Sequence, residues 1–296
     1  MTRQAAGGWS AEAELAGQDV RCLAADGATV YAGTQAGGVH RSTDGGRTWG
    51  PCALHGAPVK SLAVTPGAVY AGTKEPRVFC SLDGGESWRS LARFSRARSW
   101  WWAQPAERPF RPSYVSGLAV TSEAIVAGIE ACGVLRSTDG GRSWSGHRRR
   151  ALRDCHELLV AGERVYEAGS GGLAVSSDRG RTWQRRSRGL ERRYGWSVAV
   201  GDETVYLAAA PYRFAHCGNS RARIFRSGSN SGWEPCTDEL PSLPRLRAVH
   251  GVRQGRFLAY LPSERRRYVS STARVVRDSV LTALVRRRES SRARRG

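Results

Sequence analysis

At 296 residues and a formal net charge of +20, the chain has length for one or two ordinary domains and a charge that raises nucleic acid or an acidic membrane surface as partners. The distribution argues against both: from Arg245 to Gly296 fifteen arginines meet only Glu264, Asp278 and Glu289, an excess of +12 that leaves +8 for everything before it. Seven cysteines without a C-x-x-C pair fit neither a disulfide framework nor a zinc site, and read as small buried thiols of a reducing, cytoplasmic compartment.

Met1 to Ser10 lacks the apolar core of a signal peptide, and no stretch approaches the length of a membrane span. Trp9 with Ala11 to Leu15 reads as an outermost strand without a sheet of its own. The first full unit then supplies three strand signals, Val20 to Ala24, Val30 to Thr34 and Gly38 to Arg41, short apolar or alternating runs punctuated by Gly and Asp. They run into the octapeptide Ser42-Thr43-Asp44-Gly45-Gly46-Arg47-Thr48-Trp49, whose Trp49 begins a fourth strand. The octapeptide recurs at Ser81 to Trp88, Ser137 to Trp144 and Ser176 to Trp183, with Asp83, Asp139 and Asp178 in the place of Asp44. A decayed copy, Ser227 to Trp233, keeps its Trp but lacks the Asp and one residue of length. First strands start near 20, 59, 115, 155, 195 and 246, which makes six units of roughly forty residues, the size of a four-stranded propeller blade.

The octapeptide has the chemistry of a tight hairpin. Asp accepts from backbone N–H groups further along, the glycines supply positive φ, the Ser and Thr hydroxyls tie the flanking strands, and Trp covers the turn. It resembles the Asp-box, or BNR, repeat S-x-D-x-G-x-T-W of sialidase-type β-propellers, and four copies match at every key position. In that family the box is structural, which assigns Asp44, Trp49, Asp83, Trp88, Asp139, Trp144, Asp178 and Trp183 to the scaffold. The chain from about Gly8 to Arg245 looks like bacterial BNR-like propellers grouped with photosystem II stability/assembly factors and exo-sialidases.

The expected fold is therefore all-β: a single propeller of six blades, with seven as the alternative, occupying residues 1–261. Its last blade, deprived of an octapeptide, is expected to be incomplete and closed by the N-terminal strand, so that no sheet edge is left exposed. Residues 262–296 read as an Arg-rich tail, partly disordered, with a short amphipathic helix over Val275 to Val285.

Two insertions break the spacing. Leu91 to Ser113 contains Trp100-Trp101-Trp102 among arginines, and Pro211 to Arg223 contains Tyr212, Phe214, His216 and Asn219. The first links two blades and the second joins a second strand to a third, so both emerge on the face opposite the octapeptides, where binding is expected. On that face, equivalent positions give a ring of Asp19, Pro58, Tyr114, Asp154, Tyr194 and Arg245, and two residues later Arg21, Lys60, Ser116, His156, Trp196 and Arg247. Gln35, Lys74 and Glu130 lie at the neighbouring turns, and Glu167 replaces Ala32 of the first unit.

Such a funnel suits a polar or anionic small molecule, a glycan or a protein partner, recognised by Arg21, Lys60, Tyr114, Glu130, Asp154, His156, Glu167, Tyr194, Trp196 and Arg247. The resemblance to sialidases implies a Tyr nucleophile with carboxylates and an arginine grip on the substrate's carboxylate, for which Glu130, Asp154, Tyr114 and Tyr194 are the catalytic candidates. Departures are plain: Lys60 stands where a third arginine would, and the family's Phe/Tyr-Arg-Ile-Pro signature is represented only by Phe110-Arg111-Pro112. A binding or scaffold protein is the first reading and an exo-sialidase-like hydrolase the alternative. No metal, dinucleotide or phosphate-loop motif stands out, so no cofactor is expected; nor are nucleic acid and oligomerisation. Cys155 beside His156 is no thiol dyad, since neighbours on a strand face opposite ways.

Overall fold

The computed structural model describes residues 2–3, 9–10, 15, 18–35, 37–51, 54–91, 94, 113–146, 150–201, 204–211, 222–228, 231–235, 248–253, 256–261, 266–269 and 276–277, those at 2–3, 9–10 and from 248 onward through their backbone alone. A short pair, β1 (Thr2–Arg3) and β2 (Trp9–Ser10), precedes six antiparallel sheets. The first holds β3 (Val20–Asp26), β4 (Thr29–Thr34), β5 (Gly38–Ser42) and β6 (Gly50–Pro51); the second holds β7 (Val59–Thr65), β8 (Ala68–Thr73), β9 (Val78–Ser81) and β10 (Arg89–Ser90). The third has three strands, β11 (Val115–Val120), β12 (Ile125–Ile129) and β13 (Gly133–Ser137), its fourth place reduced to a bridge between Arg136 and Ser145. The fourth comprises β14 (Cys155–Ala161), β15 (Arg164–Gly169), β16 (Gly172–Ser176) and β17 (Gln184–Arg185), and the fifth β18 (Tyr194–Gly201), β19 (Thr204–Ala210), β20 (Arg223–Ser227) and β21 (Glu234–Pro235). The sixth is β22 (Ala248–Arg253), β23 (Arg256–Leu261), β24 (Arg266–Val269) and β25 (Val276–Arg277).

Each sheet is a meander, and first strands adjoin in succession: β3 meets β7, β7 meets β11, β11 meets β14, β14 meets β18 and β18 meets β22. This is the β-propeller arrangement, with an apolar layer between each sheet and the next. Tyr31 and Val39 of the first sheet pack on Val59, Val69 and Ala71 of the second, and Val126 and Val134 of the third pack with Cys155, Leu158 and Val165 of the fourth. Inner strands are covered on both faces, which is why Ile125-Val126-Ala127-Gly128-Ile129 reads as a continuous apolar run instead of an alternating one.

Glycine sets the spacing of the layers. A Cβ on Gly33 would come 2.6 Å from Cγ1 of Val59, and one on Gly72 would come 2.6 Å from Cγ1 of Val115. Cys155 stands over Gly128 in the same way. The first residue of the second, third and fourth sheets thus rests on a second-strand glycine of the sheet before, a contact no side chain at that glycine would permit.

The octapeptides form the expected turns. In the first, Ser42 Oγ donates to Asp44 Oδ1 at 2.7 Å and accepts from Gly46 N at 2.8 Å. Asp44 accepts from Arg47 N at 2.9 Å and Thr48 Oγ1 at 2.7 Å, and the Trp49 indole N–H closes on Gly46 O at 3.1 Å. The other three intact copies close their Trp on Gly85, Gly141 and Gly180 in the same way. In the fourth, Arg179 occupies a glycine position at φ 57°, a conformation costly for a side chain. Its guanidinium is held by Glu123 at 2.8 Å and by Glu163, while its carbonyl accepts from Arg136 Nε at 2.9 Å. The decayed copy differs as its sequence suggests: the Trp233 indole leaves its own turn and donates to Arg186 O at 2.7 Å.

Two expectations about the chain ends are corrected. Among the described residues the N-terminal strand does not complete the sixth sheet: Trp9–Ser10 pairs with Thr2–Arg3, β25 takes the fourth place beside β24, and residues 11–14 lie outside the described residues. The segment expected to be a tail from 262 onward contributes both those strands, and Val276–Arg277 is strand where a helix was expected, residues 278–285 lying outside the described residues. Tyr268, Val269 and Val276 favour extended backbone, and pairing within a short span of chain costs less closure entropy than recruiting a segment from the other end.

The turns carry an acid dependence. Hydrogen bonds from the Ser143 hydroxyl and amide hold the Asp139 carboxyl at about 2, below its ordinary 3.8. A depressed carboxyl contributes stability that is full above the unfolded value and lost as pH falls through the folded one. Thermal unfolding of Asp139→Asn is expected to show a lower Tm at pH 7 and a shallower decline than the parent between pH 4 and 2; an unchanged Tm at pH 7 would contradict the turn's role.

Candidate functional site

Five sheets begin with the same irregularity. Pairing skips one residue between Val20 and Cys22, Val59 and Ser61, Val115 and Gly117, Cys155 and Glu157, and Gly195 and Ser197. The skipped residues are Arg21, Lys60, Ser116, His156 and Trp196, the ring picked out by sequence register. A bulge leaves its residue out of the ladder and re-aims the side chain, and bulges recur beside functional sites for that reason. Just before the first four bulges the strand start is clamped to the turn closing the second strand: Asp19 O accepts from Gln35 N at 3.1 Å, Pro58 O from Lys74 N at 2.8 Å, Tyr114 O from Glu130 N at 3.1 Å and Asp154 O from Ser170 N at 3.0 Å. The second insertion leaves β19 at Ala210, opposite Tyr194, and the first enters at Tyr114, so both emerge at this end. Their interiors, 92–93, 95–112 and 212–221, lie outside the described residues, as do Arg245 and Arg247.

One half of the mouth is cationic. Arg21 pairs with Asp19 at 2.5 Å, and the Lys60 ammonium bonds Gln35 Oε1 while standing 5.6 Å from the centre of the Tyr114 ring. Burial, then the charges of Arg21 and Lys74, lower the Lys60 pKa. Tyr114 donates to Glu130 Oε1 at 3.0 Å, and burial followed by that carboxylate raises the phenol well above its usual range.

The other half is aromatic around one carboxylate. Asp154 Oδ1 accepts from Ala131 N at 3.0 Å, and Oδ2 accepts from Tyr194 OH at 3.2 Å and lies 3.3 Å from His156 Nε2. His156 Nδ1 donates to Gly195 O at 2.5 Å and the imidazole stacks on Trp196 at 4.7 Å and 22°, with Tyr194 at 4.6 Å. Burial pulls the His156 pKa down, but the Asp154 carboxylate and the Gly195 carbonyl more than offset it and the net direction is up. Burial likewise raises Asp154, yet its bonds to His156, Ala131 and Tyr194 leave it below the ordinary carboxylate value. These bonds join the third, fourth and fifth sheets, so the cluster is at once a lining and a clamp. The backbone partners Ala131 N and Gly195 O had no signal in the sequence.

Glu167 stands apart from the mouth, contrary to its placement by register. It is fully buried between the third and fourth sheets, its Oε2 accepting from Leu152 N at 2.7 Å and its Oε1 without a partner. Burial raises it to about 8. Cys155 lies against it with its thiol pushed up by burial, and faces away from His156. Among the described residues no group of three or more His, Cys, Asp and Glu side chains is placed to share a metal ion.

No protein-family model matches the sequence, and a search of curated proteins returns no significant match. Solved structures share the fold. An ancestral GH74 enzyme superposes with a TM-score of 0.65 at 18% identity over 88% of this chain and 38% of its own. The GH74 xyloglucanase from Xanthomonas campestris gives 0.60 at 18% identity over 88% and 45%. YCF48 bound to a D1 peptide gives 0.58 at 13% identity over 88% of this chain and 83% of its own. The chain thus spans less than half the length of both GH74 enzymes, and at these identities the likeness establishes the propeller fold alone.

Glu167 gives a pH test. Its folded pKa of about 8 exceeds the ordinary 4.5, so between those values the unfolded chain binds fewer protons and stability falls as pH rises. The slope cannot exceed about 1.4 kcal/mol per pH unit for one proton. Glu167→Gln, which keeps the acceptor for Leu152 N, is expected to flatten the unfolding free energy between pH 5 and 8; an unaltered slope in denaturant titrations would reject the assignment.

Proposed function

We propose that the protein is a non-enzymatic propeller that binds a polar or anionic ligand, a glycan or a protein partner at the mouth bearing the bulged side chains. The observation that carries this reading is the gathering of Arg21, Lys60 and Lys74, where like charges and burial lower the Lys60 pKa. An incoming carboxylate relieves that repulsion, and the stacked His156–Trp196 pair offers a flat surface for a sugar ring or an apolar side chain. YCF48, a protein of the same fold bound to a D1 peptide, supports a scaffold role by analogy. The octapeptides support a place among BNR-repeat propellers, and the six sheets support six blades. Free thiols at Cys22, Cys80, Cys132 and Cys155 support a reducing, cytoplasmic setting.

One contact favours a second reading. The Tyr114 hydroxyl bonded to Glu130 is a phenol with a carboxylate base, the pairing a sialidase-like hydrolase needs. Against it, Lys60 lies over that ring toward Gln35, and Arg21 is engaged by Asp19.

A glycan array and a set of acidic peptides, with a fluorogenic sialoside assayed in parallel, separate the two. Binding without turnover is expected, weakened about tenfold or more by Lys60→Met, as loss of one charge-assisted bond implies, and also by Trp196→Ala. Turnover that Tyr114→Phe abolishes would replace the binding reading with the hydrolase, and absence of any binding would remove it.

A further inference from the structure

Away from the mouth, Arg150, Gln184 and Arg185 line a groove of about 510 Å³. Gln184 and Arg185 are β17, the outermost strand of the fourth sheet, and Arg150 belongs to the segment leading into β14. Three strand spacings of about 4.8 Å separate β17 from β14, whose start carries the mouth residues. The groove is therefore a different place on the molecule from the mouth.

Its guanidinium groups are poised and uncompensated. Arg185 Nε donates to Arg150 O and Nη2 to Ala151 O, both at 3.4 Å, which tethers the side chain across the groove. Of five N–H donors, two are so used and three remain in the planar fork that matches a carboxylate. Among the described residues neither Arg150 nor Arg185 is in an ion pair, and Glu167, on which Arg185 acts, is kept protonated by burial at neutral pH and supplies no counter-charge. Arg150 is also held at φ 69°, a backbone conformation unfavourable for a side chain of its kind. A groove of this volume falls in the range of ligand sites, about 300–1,000 Å³, and exceeds what one small anion fills.

We propose that this groove is a second recognition site, taking a carboxylate-bearing segment of an acidic partner peptide, with Arg185 as the bidentate anchor, Arg150 as the second cation and Gln184 bonding the peptide's amide groups. Tethering before binding lowers the side-chain entropy lost on complex formation. A segment laid along the edge strand meets all three side chains, because the strand carries two of them and the tether brings the third alongside.

The test uses the full chain and a fluorescently labelled acetyl-hexaglutamate peptide, read by anisotropy at physiological salt with inorganic phosphate as competitor. Arg185→Gln is expected to weaken binding about tenfold or more, and Arg185→Lys to lose most of that through its missing fork. Arg150→Gly, which relieves the positive φ and so keeps the fold, is expected to weaken it several-fold. Arg164→Gln, at the exposed start of β15 elsewhere on the same sheet, and Lys60→Met at the mouth are expected to leave it unchanged. Equal losses in Arg164→Gln and Arg185→Gln would mean general attraction to a basic chain and overturn the site. Loss in Lys60→Met alone would place the peptide at the mouth, and displacement by phosphate at concentrations comparable to the peptide would make the groove a small-anion site instead.

Discussion

The close seating of the second, third and fourth sheets, each on a glycine of its predecessor, is the contact on which the rest of the molecule depends. Val59 on Gly33, Val115 on Gly72 and Cys155 on Gly128 bring inner strands together at a distance that only a missing Cβ allows. Hydroxyl and carboxylate groups bond across the seams as well: Ser61 Oγ donates to Val115 O at 2.7 Å and Ser116 Oγ to Cys155 O at 2.5 Å, and between the fourth and fifth sheets Glu157 Oε2 accepts from Val198 N at 2.8 Å. At the start of five sheets the first strand bulges, and the bulged residue is turned out at the mouth. The candidate site therefore stands at the end of the same inner strands that hold the sheets together, with Arg21, Lys60, His156 and Trp196 at one structural position despite different chemistry.

This dual use explains how the mouth resists being read residue by residue. Asp154 accepts bonds from three sheets through Ala131, His156 and Tyr194, so its carboxylate is spent largely on holding them together. Lys60 contrasts with it: burial and then the charges of Arg21 and Lys74 lower its pKa against the smaller opposing pull of Asp19, and its ammonium bonds the neutral Gln35 Oε1. The ring is thus divided into a half cross-linked by its own carboxylate and a half where cations lie close together.

What the sequence made legible was whatever repeats at fixed spacing. The octapeptide turns, the first-strand register and the common end from which both insertions emerge are all local or periodic, and they stand in the structure as the spacing indicated. Three things escaped it for physical reasons. Glu167 aligns with Ala32, but alignment of repeats gives height along a strand and not depth, and this carboxyl is sealed between sheets by Leu152 and Cys155. Arginine content hid the strand preference of Tyr268, Val269 and Val276, so a sheet-forming segment read as a tail. The pairing of Arg150 with Arg185 links positions far apart in the chain through backbone carbonyls, for which no sequence signal exists.

The rerouted indole of Trp233 has a bearing on how the sheets are joined. Trp49, Trp88, Trp144 and Trp183 each close on a carbonyl three residues away, within their own hairpins. Trp233 finds its acceptor forty-seven positions back, in the exit from the fourth sheet. The fifth turn still closes on itself, Ser227 Oγ on Ser231 O at 3.0 Å and Gly228 N on Ser231 Oγ at 2.7 Å, but its indole is seated only against the neighbouring sheet, which makes this Trp a rivet between the fourth and fifth sheets where the others are clasps within one hairpin.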